Sequence, residues 1–449
     1  MSESLNSFLF SSPEMTRVFS PQEQLRAMMR FEWALTCALE KHGLAETGSS
    51  AVLQSLLDAR FVDVNALQHE ALDAGNIAIP FVRQLTAIVK ARDERASRAI
   101  HFGATSQDVL DSALVLQMRD AINLLNNALV HLDLAMVRQV RAHVDTLVAG
   151  RTWLQPGPPT TLGLKLAGTL ASLRRHRDRI NSAAQRGLAL QFGGAVGTLA
   201  SLGTSGLAVS AELAHILDLR KPDLPWHTQR DNLVEIVQVL AILTGSLAKL
   251  ARDVALLMQA EVGEVSEEKT KGRGGSSTMP HKHNPVACAA VLAVHQRMPG
   301  LVTTMLHAMP QEHERGLGFW QAEWETVPEA FRLASAAIAD SIDIVEGLQV
   351  DVARMLANFN GLLGVTLSEA VSAALTPKIG RSAAHEVLRQ ATARAAEEKQ
   401  HLRDVLMQLP EVMEHLGGDT INQLMDPRAY LGSAMEFIKR VLGEADAQS

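Results

Sequence analysis

The sequence predicts an all-α protein, and three features support this class. Aromatic residues make up only 4% of the 449 residues, with a single tyrosine. Residues of high helix propensity (Ala, Leu, Arg, Gln and Glu) fill long stretches in which apolar residues recur every three or four positions. Strand-like alternation of apolar and polar residues is nearly absent from the sequence.

The helical pattern divides into segments that Gly, Pro and Ser separate. An amphipathic helix is predicted over residues 21–42, which Gly43 ends, and one or two long helices over 108–150. Further helices are predicted at 159–187, 205–218, 231–262, 284–308, 328–349 and 382–408. We expect three helical domains, at 1–111, 112–350 and 351–449, with a long central helix bundle in the middle one.

Segment 231–262 is apolar on more than one face. Its charged residues, among them Glu235, Lys249 and Asp253, favour a buried core helix over a membrane span. Because such a helix needs neighbours on all sides, we expect a homo-oligomer that shares a bundle core.

The composition excludes several classes of protein. A net charge of −7 leaves no electrostatic footprint for nucleic acid. The two cysteines, Cys37 and Cys288, form no CxxC pair, which argues against a disulfide framework. The first residues lack the basic and apolar regions of a secretory signal, so we expect a cytoplasmic protein that is not a membrane protein.

Polar stretches rich in Gly, Pro, Ser and Thr interrupt the helices. In HFGATSQD (101–108), Thr105 or Ser106 would act as the N-cap of the next helix, and free N–H groups at the same helix start would bind a carboxylate. In RTWLQPGPPTT (151–161) the prolines force an extended or turning entry to a helix, preceded by donors on Arg151, Thr152 and Gln155. Each stretch also has a purely structural interpretation.

The stretch KGRGGSSTMPHKHNPV (271–286) combines hydroxyls with Lys282 and Asn284. By composition alone it is typical of a flexible surface loop. Chemically, fixed donors such as these two side chains stabilise the charge that develops when a proton beside a carboxylate is removed. A serine acts as a base only where positive charge and N–H groups lower its pKa, which a glycine-rich loop beside a lysine provides.

Together, and in this order, these stretches resemble the fumarase/aspartase superfamily. GSSTMPHKHNP (275–285) matches the signature GSSxMPxKxNP at every fixed position. HFGATSQD and RTWLQP resemble the first two conserved regions, and QFGGAVGT (191–198) and WHTQRD (226–231) resemble further family segments. The resemblance extends from the N-terminal helices to about residue 330.

The resemblance implies a homotetramer in which three subunits build each active site. Members catalyse anti addition or elimination beside a carboxylate, without metal, through an aci-carboxylate carbanion. By the resemblance Ser276 is the general base, and Lys282 and Asn284 hold the substrate carboxylate. By the resemblance Thr105, Ser106, Gln107 and Thr152 bind the substrate's other acid groups. From their position and chemistry we also expect substrate binding by His101, Arg151, Trp153, Gln155 and Arg315.

Two departures from the family pattern limit which of the superfamily's reactions this protein catalyses. Most members of the superfamily carry RTH or a similar triplet where this sequence has Arg151-Thr152-Trp153, and a glutamate partner of that histidine where it has Ala289. An amine or hydroxide needs protonation to leave, whereas a carboxylate is the base of an acid of pKa about 4 and leaves unassisted. The pattern therefore predicts a lactonising cycloisomerase. The sequence resembles the cycloisomerases of the superfamily, which carry RTW, and this resemblance implies a small tricarboxylate substrate. Trp153 as a core filler and Ala289 as a plain helix former stay open.

Other features leave alternatives open. His281 and His283 flank Lys282 as one edge of a metal site would, but no third ligand is near, so neither metal nor cofactor is expected. The roles of His313 and of these two histidines stay open. An adenylosuccinate-type lyase is the alternative enzyme, although its required histidine is missing. A non-catalytic structural protein on the same fold is a further alternative.

Overall fold

The structure is a computed structural model, and it describes residues 6–268, 274–275, 278–279 and 282–443. The described residues form seventeen α-helices, five short 3-10 helices and four strands. The helices are α1 Pro13–Val18, α2 Pro21–Lys41, α3 Ser49–Gln54, α4 Val64–Ala74, α5 Ala78–Arg92, α6 Ser106–Ala142, α7 Leu162–Gly187, α8 Gly206–Leu217, α9 Asp231–Leu257, α10 Val286–His307, α11 Phe319–Glu346, α12 Val352–Asn360, α13 Ser368–Ile379, α14 Arg381–Glu398, α15 Leu402–Met407, α16 Pro410–Leu424 and α17 Ala434–Leu442. The strands are β1 Leu147–Thr152, β2 Gln155–Thr161, β3 Val265–Ser266 and β4 Gln349–Val350.

The predicted all-α class is confirmed. Helix α2 illustrates how local signals set its start. The Ser20 side chain accepts a hydrogen bond from the Glu23 N–H at 3.3 Å, and Pro21 occupies the first helical position. Both residues suit a helix N-terminus, since the hydroxyl satisfies an N–H without a partner and proline has none to lose. The observed end at Lys41 lies within one residue of the predicted end.

Several boundaries differ from the prediction: α11 begins at Phe319 and not at residue 328, the segment 382–408 divides into α14 and α15, and α9 ends at Leu257. The hairpin region shows a change in the kind of structure. Residues 108–150 were predicted as helix, but α6 ends at Ala142 and residues 147–161 form an antiparallel hairpin of β1 and β2. A side chain at Gly150 would place its Cβ 2.7 Å from the Pro158 carbonyl oxygen, so glycine permits the close pairing. Proline-rich β2 cannot form helix and supplies the partner strand. A local preference for helix was therefore outweighed by pairing with a segment further along the chain.

The chain divides into two compact units. Unit 1 consists of residues 1–129, 176–245 and 293–339, and unit 2 of residues 130–175, 246–292 and 340–449. The divisions fall inside α6, α7, α9, α10 and α11, so both units contain part of each of these long helices.

Each unit has its own apolar core. In unit 1, Phe31 and Phe81 are fully buried, and the rings of Phe19 and Phe331 lie 5.6 Å apart. In unit 2, helices α12 to α16 pack around buried side chains that include Val371 and Val405. The core of unit 1 joins residues from separate parts of the sequence, whereas the core around α12 to α16 comes from one stretch, against which Ala149 of the hairpin packs.

Helices α9 and α10 are long and apolar enough to cross a membrane by length and composition. Core helices of globular proteins meet the same criterion. The most apolar window of α9 is 61% buried within this chain, as expected for a core helix, whereas that of α10 is only 28% buried. Most residues of the apolar window of α10 are therefore partly or fully exposed within this chain.

Candidate active site

The segment HFGATSQD forms the entry to α6 in unit 1. Thr105 precedes the helix and donates its backbone N–H to the Asp108 Oδ2 atom at 3.0 Å, while the Asp108 N–H donates to the Thr105 carbonyl at 3.0 Å. The Asp108 carboxylate therefore caps the helix start, whereas the predicted cap, the hydroxyl of Thr105 or Ser106, forms no hydrogen bond with a described residue. The backbone N–H groups of Ser106 and Gln107 bond to no described residue, so two donors remain at the N-terminus of this 37-residue helix.

Asp108 joins three of the segments that the sequence singles out. Its buried carboxylate also accepts the backbone N–H groups of Gly193 at 3.1 Å and Gly194 at 2.9 Å, and contacts the His227 Nε2 atom at 2.7 Å. A carboxylate with this many donors is costly to displace, because each donor would be left buried without a partner. HFGATSQD, QFGGAVGT and WHTQRD therefore form one framework in unit 1.

A buried ionic network lies one helical turn further along α6. Arg230 is fully buried and bonds to both oxygens of Asp111, at 2.7 and 3.0 Å, and to Glu323 at 3.0 and 3.1 Å. Burial lowers the pKa of Arg230, but the two carboxylates outweigh it and raise this pKa overall. Burial raises the pKa of Glu323 despite the neighbouring guanidinium. The network cross-links α6, α11 and the start of α9.

Gln107 and Arg315, both predicted to bind substrate, bond to each other. The Arg315 Nη1 atom donates to the Gln107 Oε1 atom at 2.7 Å, and its Nη2 atom donates to the Ala195 carbonyl at 2.8 Å. The Gln107 amide nitrogen donates to Asp111 at 3.1 Å and to the His227 carbonyl at 2.8 Å. Since Gln107 is fully buried, direct contact of its amide with a substrate would require some of these bonds to break. The observed bonds orient Arg315.

The hairpin in unit 2 carries the RTW motif. Arg151 donates from Nη2 to the Glu264 Oε1 atom at 2.6 Å, and the amide of Asn358 donates to the same oxygen at 2.9 Å. Glu264 is fully buried, whereas the Arg151 side chain is 23% exposed. The predicted substrate-binding guanidinium is therefore held from its buried side by a carboxylate 113 residues away.

Trp153 lies at the tip of this hairpin and is 98% exposed. The alternative that it fills the core is therefore wrong for this chain. Trp153 and Leu154 have φ values of 54° and 63°, so both residues of the turn adopt the left-handed conformation. This conformation suits a two-residue hairpin turn but is unfavourable for large side chains. Thr152 and Gln155 flank the turn as an exposed strand pair.

The signature loop of unit 2 is described in part. Ser276, the predicted base, and His281 lie outside the described residues. The Asn284 N–H donates to the Gly274 carbonyl at 2.8 Å, and a Cβ at Gly274 would lie 2.6 Å from the Asn284 carbonyl oxygen. Gly274 also has a φ of 69°, so other residues would be strained there. The side chains of Lys282 and Asn284 form no hydrogen bond or ion pair with any described residue.

Glu267 anchors the base of this loop, and sequence reasoning did not identify it. Its carboxylate accepts the backbone N–H groups of Ala287 at 3.2 Å and Cys288 at 2.9 Å, in the first turn of α10. Burial raises the pKa of the Cys288 thiol, and the Glu267 carboxylate raises it further. A carboxylate at a helix N-terminus stabilises the free N–H groups there. Glu267 thus joins the chain before the loop to the helix after it.

The predicted site residues fall into two sets. Unit 1 contains His101, Thr105, Ser106, Gln107 and Arg315, and unit 2 contains Arg151, Thr152, Trp153, Gln155, Lys282 and Asn284. The described residues include no group of three or more His, Cys, Asp or Glu side chains that could hold a metal ion. Neither ring nitrogen of His283 bonds to a described residue, and the His313 carbonyl accepts a bond from Thr228 at 3.0 Å. The roles of these histidines and the absence of a metal stay predictions.

Comparisons with known proteins identify the family. The family model described as "Lyase" matches residues 9–300, and one described as "Adenylosuccinate lyase C-terminus" matches residues 364–441. The 3-carboxy-cis,cis-muconate cycloisomerase of Pseudomonas aeruginosa is 49% identical over 98% of this chain and 95% of its own length.

Two crystal structures are also similar over the whole chain. The 3-carboxy-cis,cis-muconate lactonizing enzyme of Pseudomonas putida has a TM-score of 0.93 and 44% identity, and covers 98% of this chain and 99% of its own. The beta-carboxy-cis,cis-muconate cycloisomerase of Acinetobacter calcoaceticus sp. ADP1 has a TM-score of 0.92 and 39% identity, and covers 98% of this chain and 100% of its own.

The chain belongs to this lyase family, within the fumarase/aspartase superfamily. The predicted superfamily and the predicted enzymatic class are confirmed. The predicted cycloisomerase function agrees with the names of these relatives.

Proposed function

We propose that this protein is a 3-carboxy-cis,cis-muconate cycloisomerase that forms 4-carboxymuconolactone in the protocatechuate branch of the β-ketoadipate pathway. The observation that carries the proposal is the replacement of the family's histidine and glutamate pair by Trp153 and Ala289. Trp153 is exposed at the hairpin tip, and Ala289 is exposed in the first turn of α10. Neither side chain donates a proton, which suits a reaction without a leaving group to protonate.

The proposed reaction is an intramolecular anti addition. An ionised carboxylate of the substrate attacks the alkene, so a C–O bond forms and the alkene π bond breaks. The electron pair moves onto the neighbouring carboxylate as an aci-carboxylate, and the carbon beside that carboxylate then gains a proton. We assign the proton transfer to Ser276 and the stabilisation of the aci-carboxylate to Lys282 and Asn284.

The remaining residues are assigned to substrate binding. In unit 1 the exposed edge of His101, the start of α6 at Thr105 and Ser106, and Arg315, oriented by Gln107, offer donors to acid groups. In unit 2 the hairpin offers Arg151, Thr152, Trp153 and Gln155. A substrate with three carboxylates needs several separate hydrogen-bond donors. Because the chain has a net negative charge, such a substrate binds only where positively charged and donor groups cluster.

The assembly is proposed to be a homotetramer in which different subunits supply the two sets of site residues. The apolar window of α10, only 28% buried within this chain, supports an interface between copies. Mixing an inactive Lys282→Ala protein with an inactive variant of the HFGATSQD segment should restore part of the activity. Sedimentation as a 48.6 kDa monomer, or failure of this complementation, would contradict the proposal.

Three further assignments are proposals. They are the division into domains at 1–111, 112–350 and 351–449, a cytoplasmic location, and catalysis that needs neither metal nor cofactor. Turnover that a chelator abolished and a divalent ion restored would contradict the last of these.

The direct test of function is incubation with 3-carboxy-cis,cis-muconate. Diene absorbance should fall as the lactone forms, and Lys282→Ala protein should serve as the inactive control. Release of fumarate from adenylosuccinate, with no loss of diene absorbance, would favour the adenylosuccinate-type alternative. Absence of any turnover by either assay would favour the structural protein.

A further inference from the structure

A buried glutamate on α2 holds the histidine that begins HFGATSQD. Glu32 is fully buried, and both of its carboxylate oxygens bond to one residue. One oxygen accepts the backbone N–H of His101 at 2.9 Å, and the other lies 2.6 Å from the His101 Nδ1 atom. Because an ionised carboxylate only accepts, the ring donates from Nδ1, and a second proton on the ring must reside on Nε2.

The other edge of the ring is available to a ligand. The His101 side chain is 18% exposed, and no described residue bonds to its Nε2 atom. Its φ of 55° is unusual for a residue other than glycine, and the two bonds to Glu32 hold this conformation. His101 is also only four residues from Thr105, at the helix start assigned to substrate binding.

Acidic groups face the ring from two elements. Glu32 approaches from α2, and Asp108 approaches from α6 while it also contacts His227. Burial lowers the pKa of His101, but the Glu32 and Asp108 carboxylates outweigh burial and raise this pKa overall. The imidazolium form therefore persists to higher pH than it does in a free histidine.

We propose that Glu32 is a positioning residue that orients His101 so that its protonated Nε2–H binds one carboxylate of the substrate. The identity of the substrate as a tricarboxylate rests on the proposed function. Substrate binding should then be strongest at pH values below the pKa of His101 and weaken as the pH rises through it. KM should carry most of this pH dependence, because the group binds substrate and does not transfer the proton.

Glu32→Gln tests the proposal because it removes the charge with little change in shape. We expect the pKa of His101 to fall, and the rise in KM to begin at lower pH. Between the two pKa values KM should increase by about 10- to 100-fold, the size expected for losing a charge-assisted hydrogen bond. Below both pKa values the KM of the variant should return to that of the unaltered enzyme, since the ring is then protonated in each.

The pKa of His101 is measurable without turnover. Deuterium exchange at the ring C2 position, followed by mass spectrometry over a range of pH, reports the titration of single histidines. Trypsin releases residues 99–119 as one peptide, in which His101 is the single histidine. Inactivity of the unaltered enzyme toward 3-carboxy-cis,cis-muconate would overturn the proposed function, whereas an unchanged His101 pKa in Glu32→Gln would overturn this inference.

Glu40→Gln is the matched control. Glu40 lies on the same helix and its carboxylate also accepts backbone N–H groups, from Gly48 and from Ser50 at 2.9 Å, but it contacts no histidine in the described structure. Its substitution should leave the His101 pKa and the KM profile unchanged. An increase in KM of equal size at every pH in Glu32→Gln would show a structural role alone and overturn the proposal.

His101→Gln decides the matter if Glu32→Gln does not fold. Glutamine retains a donor toward Glu32 but does not titrate. Its KM should therefore be raised and independent of pH through the range in which the unaltered enzyme loses affinity. Retention of the original pH dependence by His101→Gln would assign the titration to another group and contradict the proposal.

Discussion

Helices α6 and α10 both begin directly after a loop that carries predicted site residues, yet buried carboxylates hold the two starts in different ways. At α6 the carboxylate is Asp108, in the first turn of the helix itself, and it accepts hydrogen bonds from three segments of unit 1. At α10 the carboxylate is Glu267, which precedes Ala287 by 20 residues and accepts from the first turn of the helix.

Asp108 and Glu267 therefore constrain the loops beside them in different ways. The binding segments of unit 1 share one carboxylate, so the loop before α6 cannot move without breaking bonds to two other segments. Glu267 instead ties the chain before the signature loop to the helix after it. We therefore expect changes at Asp108 to lower stability, changes at Glu267 to alter the loop, and changes within the loop to lower turnover.

The largest expected effect concerns the loop itself. Ser276→Ala should lower turnover by about 10²- to 10⁴-fold, the range for losing a general acid or base. Lys282→Ala should lower turnover on the order of 10²- to 10³-fold, as expected for losing a donor that stabilises the developing charge. Both variants should unfold at the same denaturant concentration as the unaltered protein, because their effect is on chemistry.

Ser277→Ala is the matched comparison for the serine. It removes an adjacent hydroxyl, so steady-state assays of the two variants together locate the base. Unchanged turnover in Ser276→Ala would contradict its assignment. A larger loss in Ser277→Ala would move the role by one residue.

The Asp108→Asn variant tests the role of the carboxylate at the start of α6. The Asp108 carboxylate accepts from three backbone N–H groups and from His227. The asparagine amide has only one acceptor oxygen, and its NH2 group would face one of these donors. We expect a loss of about 1 to 3 kcal/mol in the free energy of unfolding, as when buried donors lose their acceptor. Urea denaturation at fixed protein concentration measures it, with Asp120→Asn, exposed on the same helix, as control. Equal stability of the two variants would refute the shared-framework interpretation.

A smaller effect is expected for Glu267→Gln. The neutral side chain weakens the cap of α10, which typically contributes about 1 kcal/mol. Trypsin should then cleave faster at Lys269, Lys271 or Arg273, and turnover should fall more than KM rises. Glu268→Gln, next in sequence and exposed, is the control. Identical cleavage rates in the two variants would show that Glu267 does not restrain the loop.

The smallest effect is expected for Trp153→His. The new histidine restores an acid that lactonisation does not use, and Ala289 cannot orient it. The lactonisation rate should therefore not rise, as measured by the initial loss of diene absorbance. A tenfold increase would contradict the proposed division of roles between the hairpin and the loop.

Much of the site was predictable because its signals are local in sequence. The signature around Lys282 and Asn284 identified the superfamily, and the hydroxyl residues Thr105 and Ser106 indicated a helix start. The hairpin of β1 and β2 was predicted less well. Its first strand has a helix-compatible sequence, and the pairing with β2 that overrides this preference is a contact between segments.

The sequence by itself determined the helical class, the superfamily and the two missing acid/base residues, because periodicity, caps and motifs depend on neighbours in the chain. The tertiary structure alone decided which carboxylates hold the site residues. Glu32 bonds to His101 across 69 residues, and Glu264 bonds to Arg151 across 113. A buried carboxylate is stable only where folding brings donors to it, and no spacing in the sequence states which donors those will be.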